Sequence, residues 1–186
     1  MELTLETDRL VLRALKEKDW QKVLRFLEKG KDVFERYEAA KPPLYYSKIY
    51  QKGVLNQEYN AMVANRYVRY YVSLKEEPDI VIGTVSCGSI TSDPFYCGTL
   101  GYKFDKDYWH KGYATEAIRC TIDQVFKELR LHRLIANVME TNNPSIKLLE
   151  NMGFRLEGLC EKNIKVNGEW QNHRLYAMLN PYEEFV

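Results

Sequence analysis

The spacing of apolar and polar positions changes several times along the chain, and each change marks an element. Leu10-Val11-Leu12 is a short strand, after which Trp20, Val23, Leu24 and Leu27 recur at i, i+3, i+4 and i+7. That stripe predicts an amphipathic helix, with Gly30 expected to stop it. The tract from Lys41 to Asn65 opens with Pro42-Pro43 and carries Tyr45, Tyr46, Ile49, Tyr50, Val54, Tyr59 and Met62, which predicts one or two helices separated by a turn. From Tyr67 to Leu74 the period is two, Lys75-Glu76-Glu77-Pro78-Asp79 has turn chemistry, and Ile80 to Ile90 is rich in β-formers, so an antiparallel hairpin is predicted. Leu100 to Phe104 is a further strand. Beyond Gly112 the period becomes helical, with Ile118, Ile122, Val125, Phe126 and Leu129 on one stripe that runs up to His132. Arg133 to Met139 is a strand. Asn143-Pro144 reads as an N-cap followed by proline at the first helical position, and Gly153 closes that short helix. Arg155 to Leu179 reads as two strands joined by the hairpin signal Asn167-Gly168.

No repeat, linker or composition shift divides the 186 residues, so one domain over residues 1–186 is expected. The 27 basic and 26 acidic residues are mixed along the chain and leave a net charge of +1, which argues against a nucleic-acid partner. Cys87, Cys97, Cys120 and Cys160 have neither C-x-x-C spacing nor histidines at zinc spacing, so they read as free thiols and no metal site is expected. No membrane span and no export signal are read from the apolar runs, and a cytoplasmic location is expected.

The segment Trp109-His110-Lys111-Gly112-Tyr113-Ala114-Thr115 lies between a strand and a helix, where free backbone N–H groups and a positive helix end suit an anion. Small residues at 112 and 114 let a phosphate approach the main chain, and Lys111 adds charge. Trp109 and Tyr113 are expected to pack beneath this loop and Tyr108 to face solvent. The spacing matches neither a Walker loop nor a dinucleotide fingerprint.

Joined to Leu5-Glu6-Thr7-Asp8-Arg9-Leu10-Val11-Leu12-Arg13, Gly101-Tyr102, Asn142-x-x-Ser145 and Leu149-Glu150-x-x-Gly153-Phe154, this loop resembles the GCN5-related N-acetyltransferase (GNAT) superfamily. Leu131 to Met139 and Asn167-Gly168-Glu169-Trp170 resemble its RimJ/RimL group of ribosomal-protein alanine N-acetyltransferases. The resemblance implies a mixed α/β fold: a central, mostly antiparallel sheet that splays where the Leu100 and Arg133 strands part, with helices on both faces. It implies acetyl-CoA as cosubstrate, its pantetheine arm along Tyr102, Lys103 and Phe104. The pyrophosphate would then meet His110, Lys111, Gly112, Tyr113, Ala114 and Thr115, and the arm's other side Asn142 and Ser145.

Acetyl transfer needs a neutral amine, an N–H donor for the oxyanion and a proton for the departing thiolate. Leu149 stands where many members of the superfamily carry a tyrosine acid, which makes Ser145 the candidate acid. Ile164 stands where RimL-type enzymes carry a carboxylate, and Glu161 is the nearest alternative, although strand alternation separates the two positions by face. An α-amine titrates at ~7.7 to 8.0, so positioning can substitute for a strong base. Direct transfer in a ternary complex is expected. The histidines His110, His132 and His173 share no spacing and are assigned no catalytic role. Tyr45, Tyr46, Tyr50 and Tyr59 are expected as core stripe rather than groove lining. The acceptor is a protein N-terminus or a small amine, a CoA-binding module without turnover is the third reading, and the oligomeric state, monomer or homodimer, is left open.

Overall fold

The structure is a computed structural model that describes residues 1–182. Twelve main elements follow in chain order among these residues: β1 (Thr4–Glu6), β2 (Leu10–Arg13), α1 (Trp20–Phe34), α2 (Lys48–Val63), β3 (Val68–Leu74), β4 (Gly83–Gly88), β5 (Cys97–Phe104), α3 (Tyr113–Leu129), β6 (Arg133–Met139), α4 (Asn143–Asn151), β7 (Arg155–Val166) and β8 (Glu169–Leu179). The strands form one sheet in the order β1-β2-β3-β4-β5-β6-β8-β7. Neighbours are antiparallel except β5 and β6, which are parallel and joined by the α3 crossover. The expected mixed α/β architecture with a mostly antiparallel sheet is the one observed.

Period-two alternation sends neighbouring side chains of one strand to two separate cores. Tyr70 and Val72 of β3 join Leu10, Leu12, Val85, Leu100 and Leu134 under α3 and α4, which contribute Ile118, Ile122, Val125, Phe126, Ile146 and Leu149. Tyr71, between them in sequence, points to the opposite face and packs with Val23, Phe26, Leu27 and Phe34 of α1 and Leu55 of α2. Helices therefore cover both faces. Burial on this scale stabilises each large apolar side chain by about 1.5–3 kcal/mol, before entropy is subtracted.

Several boundaries move relative to the sequence reading. α1 does not stop at Gly30 but continues to Phe34. The reason is packing within the helix: Gly30 is buried, and a Cβ built on it would come within 2.1 Å of the Phe34 ring, so the glycine makes room for an aromatic one turn on. The 41–65 tract supplies one helix, α2, whose N-cap Ser47 accepts a hydrogen bond from the Tyr50 N–H. β5 begins at Cys97, three residues before Leu100, and β4 is shorter than the 80–90 run that predicts it. The hairpin at Asn167-Gly168 is present, with left-handed φ values of 49° and 86° as a type I′ turn demands. None of the helices among the described residues is long and apolar enough to cross a membrane.

Candidate active site

The turn into α3 is built to expose main-chain donors. Gly112 is its N-cap in the left-handed region (φ 80°, ψ −3°), and α3 starts at Tyr113. The Glu116 N–H donates to Gly112 O at 3.1 Å, which leaves the amides of Tyr113, Ala114 and Thr115 in the first turn, where a helix offers N–H groups no acceptor of its own. His110 also has a positive φ, 59°, so two left-handed residues curl the chain around the helix start. A clamp from the chain's beginning fixes this curl. Arg9 Nη1 donates to Lys111 O at 3.0 Å, Arg9 Nε to Glu116 Oε2 at 2.7 Å, and Thr7 Oγ1 to Glu116 Oε1 at 2.6 Å. The guanidinium also lies over the Tyr113 ring, 4.6 Å from its centre. Partial burial pushes the Glu116 carboxyl up, but its bonds from Thr7 and Arg9 outweigh that and hold it below the usual carboxylate range. Arg9, Thr7 and Glu116 were not among the sequence-predicted site residues. Charge opposition alone could not have paired them, because 107 residues separate Arg9 from Glu116.

Two aromatic expectations are reversed here. Trp109 is exposed, with its indole N–H donating to Phe104 O at 2.9 Å, whereas Tyr108 is half-buried and packs 6.4 Å from Tyr113. Lys111 turns back, donating to Asp107 O at 3.0 Å.

Next to the loop the sheet opens. β5 and β6 pair at Cys97↔Arg133, Gly98↔Leu134 and Thr99↔Ile135, and beyond these positions they part. On its other side β5 stays paired with β4 as far as Gly83↔Phe104, so half of its main-chain groups from Gly101 to Phe104 face the wedge. Across the wedge stands the start of α4. The N-cap is Asn142, one residue earlier than the spacing suggests, and its Oδ1 accepts from the Ser145 N–H at 3.3 Å. Asn143 is already helical, and Pro144 follows it within the first turn, where a missing N–H costs nothing. Ser145 is thus not the cap. Its Oγ lies 2.7 Å from the Tyr102 hydroxyl, which also sits 3.3 Å from Ser145 O. Burial pushes the Tyr102 phenol up to about 12, only partly offset by Ser145. Leu149 points into the core, fully buried.

Lys103, one residue on, faces the opposite side. Its ammonium binds Glu38 Oε1 at 2.9 Å and lies 5.0 Å from the centre of the Phe34 ring. Glu38 also pairs with Lys41. Burial opposes both charges of this cluster: it pushes Glu38 up, but Lys103 and Lys41 outweigh it and hold the carboxyl low, while at Lys103 burial wins and the ammonium sits below an ordinary lysine. Beside this cluster is a surface cleft of about 500 Å³ lined by Lys31, Glu35, Lys41, Tyr45, Tyr46 and Asn167, among others. The Tyr46 hydroxyl donates to Glu35 at 2.8 Å, and Asn167 Nδ2, from the β7–β8 turn, donates to Glu35 O at 2.7 Å. Tyr45 and Tyr46 both pack against the α1 core and line this cleft, so they serve in both capacities.

Glu161 is exposed on β7, inside the register break between Cys160 and Ile164, and two strands from the edge of β6 that borders the wedge. The structure does not bring it to Ser145. His173 is buried, with Nδ1 3.2 Å from Gln171 O. Cys87, Cys97, Cys120 and Cys160 are free, and among the described residues no cluster of metal-ligating side chains occurs.

Left-handed glycine, unused helix-start amides and a parted pair of parallel strands form a cradle for an anion with an extended arm. Residues 9–155 match the family model of the acetyltransferase (GNAT) domain. The chain belongs to this family. Within the family it is 34% identical to the "Probable N-acetyltransferase YjcK" of Bacillus subtilis (strain 168), over 94% of this chain and 96% of that protein. The crystal structure of the ribosomal-protein-S5-alanine acetyltransferase from Vibrio fischeri superposes with a TM-score of 0.91 at 29% identity, covering 97% and 98% of the two chains. Mycobacterium smegmatis RimJ, solved in complex with CoA-disulfide, has the same fold, with a TM-score of 0.83 at 24% identity over 91% of this chain and 81% of that one. This GNAT chain is accordingly an N-acetyltransferase.

Proposed function

We propose that the chain, acting as one domain, transfers the acetyl group of acetyl-CoA to the N-terminal α-amine of a protein, with ribosomal proteins as the first acceptors to test. The observation that carries this reading is the likeness to the S5-alanine acetyltransferase over nearly the full length of both chains. A surface cleft of about 500 Å³ has room for the first residues of an extended chain end.

The residues fit acetyl-CoA. Amides 113–115 and the positive end of α3 suit its pyrophosphate, and the free edge of β5 suits the amides of its arm. When bound, it supplies an activated acetyl thioester. The protein's part is to hold the acceptor amine in line, to offer a β5 N–H to the developing oxyanion, and to deliver a proton from the Tyr102–Ser145 side of the wedge. The amine attacks directly and no acyl-enzyme forms. Free thiols at all four cysteines suit a reducing, cytoplasmic setting.

A second reading has its own support: Tyr45, Tyr46 and Glu35 bound the cleft with aromatic and acidic groups that suit a small amine. Acetyl-CoA consumption measured across peptides that copy ribosomal-protein N-termini and across polyamines and amino acids separates the two. Turnover confined to peptides is expected. Turnover confined to small amines overturns the first reading, and tight acetyl-CoA binding with no turnover overturns both.

A further inference from the structure

The proton donor for the departing sulfur is an open question in this chain, because the helix position that could offer a phenol holds the buried Leu149. The structure supplies a phenol from the facing wall. Tyr102 stands on β5, and its hydroxyl crosses the wedge to reach Ser145 Oγ at 2.7 Å and Ser145 O at 3.3 Å. We infer that Tyr102 and Ser145 form a hydroxyl pair that delivers the proton to the leaving thiolate, with Tyr102 as the ultimate donor and Ser145 the group it hands the proton to.

The argument is geometric first. An arm anchored by its phosphates at the start of α3 and extended along β5 runs from Phe104 toward the apex of the wedge at Thr99 and Ile135. Tyr102 lies between those limits, so the reactive end of the arm passes its ring. Two hydroxyl groups also face each other here across the wedge. At 2.7 Å only one O–H can point along the shared line, so one hydroxyl hydrogen is available to a third group. A phenol raised by burial stays protonated at neutral pH and is therefore a donor, whereas the thiol it serves has an ordinary value near 8.5. The raised phenol is too weak an acid to charge itself spontaneously. It gives up its proton to Ser145 Oγ as that hydroxyl protonates the developing thiolate.

The step balances. The lone pair of the neutral amine forms the C–N bond, the C–S bond breaks with its electron pair going to sulfur, and the nitrogen loses a proton to water. Sulfur takes a proton from Ser145 Oγ, Oγ is refilled from the Tyr102 hydroxyl, and the phenolate regains its proton from solvent. This inference rests on the acetyl-CoA placement proposed above, so its test begins with binding.

The probe is CoA itself, free of acceptor. Its thiol is titrated by thiolate absorbance while bound to the wild-type protein and to Tyr102→Phe, and the dissociation constant is read by calorimetry. A hydrogen bond from Ser145 to the thiolate, strengthened by the Tyr102 hydroxyl behind it, is expected to lower the bound thiol's pKa by about 1–2 units in the wild type, and Tyr102→Phe is expected to lose about half of that shift with CoA affinity changed less than about twofold. With the acceptor that turns over, kcat falls about 10²-fold in Tyr102→Phe while KM for acetyl-CoA stays put. Should Tyr102→Phe fail to fold, Ser145→Ala, at the half-buried helix start, takes its place and, by removing the direct donor, abolishes the shift. If wild type and variants bind CoA and titrate alike, the hydroxyl pair is overturned and the acetyl-CoA site stands. No heat with CoA in the wild type overturns the site itself, and this inference with it.

Discussion

Two regions of this enzyme can be set side by side. Around residues 110–116 the turn exposes main-chain amides, and the side chains of Arg9, Thr7 and Glu116 hold the curl that exposes them. Around residues 35–47 the cleft is shaped by side chains, with Glu38 gripped between Lys103 and Lys41, Tyr46 on Glu35, and Asn167 reaching across from the far hairpin. On the proposed reading the first design serves the cosubstrate, because phosphate binding to backbone amides tolerates changes in side chains. On the same reading the second serves the acceptor, since side chains there can change without altering the helix start of α3.

The comparison is most sharply broken by removing the charge that supports the cleft. Lys103→Ala leaves a largely buried Glu38 with Lys41 as its remaining cation, and a loss of about 2–3 kcal/mol is expected, at the lower side of the range for broken buried pairs because Glu38 keeps some solvent contact. Urea denaturation checks it, and an unchanged midpoint would mean the cluster is not structural. Next in size, Gly112→Ala puts a Cβ on a left-handed residue 3.2 Å from Arg9 Nη2, so about 1 kcal/mol of strain and roughly tenfold weaker acetyl-CoA binding are expected, with acceptor KM unmoved. Calorimetry decides.

The acid limb of stability gives a third test. Glu38 and Glu116 are both held below their unfolded values. Such a carboxylate stabilises the fold above its unfolded pKa, about 4.3, and that contribution is lost as pH falls through the lower folded value. Thermal melts of Glu38→Gln between pH 7 and pH 3 are therefore expected to be flatter than wild type. The smallest effect is expected from Asn167→Gly, which keeps the turn's positive φ but removes the bond to Glu35 O. Stability should change by less than about 0.5 kcal/mol, while the acceptor KM rises a few-fold and acetyl-CoA affinity does not.

Much of the fold was legible because local pattern and tertiary role agree. The stripe Ile118, Ile122, Val125, Phe126 is both the helical period and the face that α3 buries, and Asn167-Gly168 makes its hairpin by backbone preference alone. The structure departs from the local rules where side-chain packing outweighed them. Gly30 would end a solitary helix, yet Phe34 packs over it. Trp109 looked like loop support, but Tyr108 fills that place.

By itself the sequence determined the order of elements, the glycine turn into α3 and the family, since these depend on periods, turn residues and ordered motifs within short windows. Only the tertiary structure decided that Arg9 locks Glu116, that Glu161 stands two strands from the wedge, and that Tyr102 meets Ser145. Those pairings join residues far apart in the chain. Contacts of that kind are chosen by which faces the sheet and helices bury, and no local spacing encodes them.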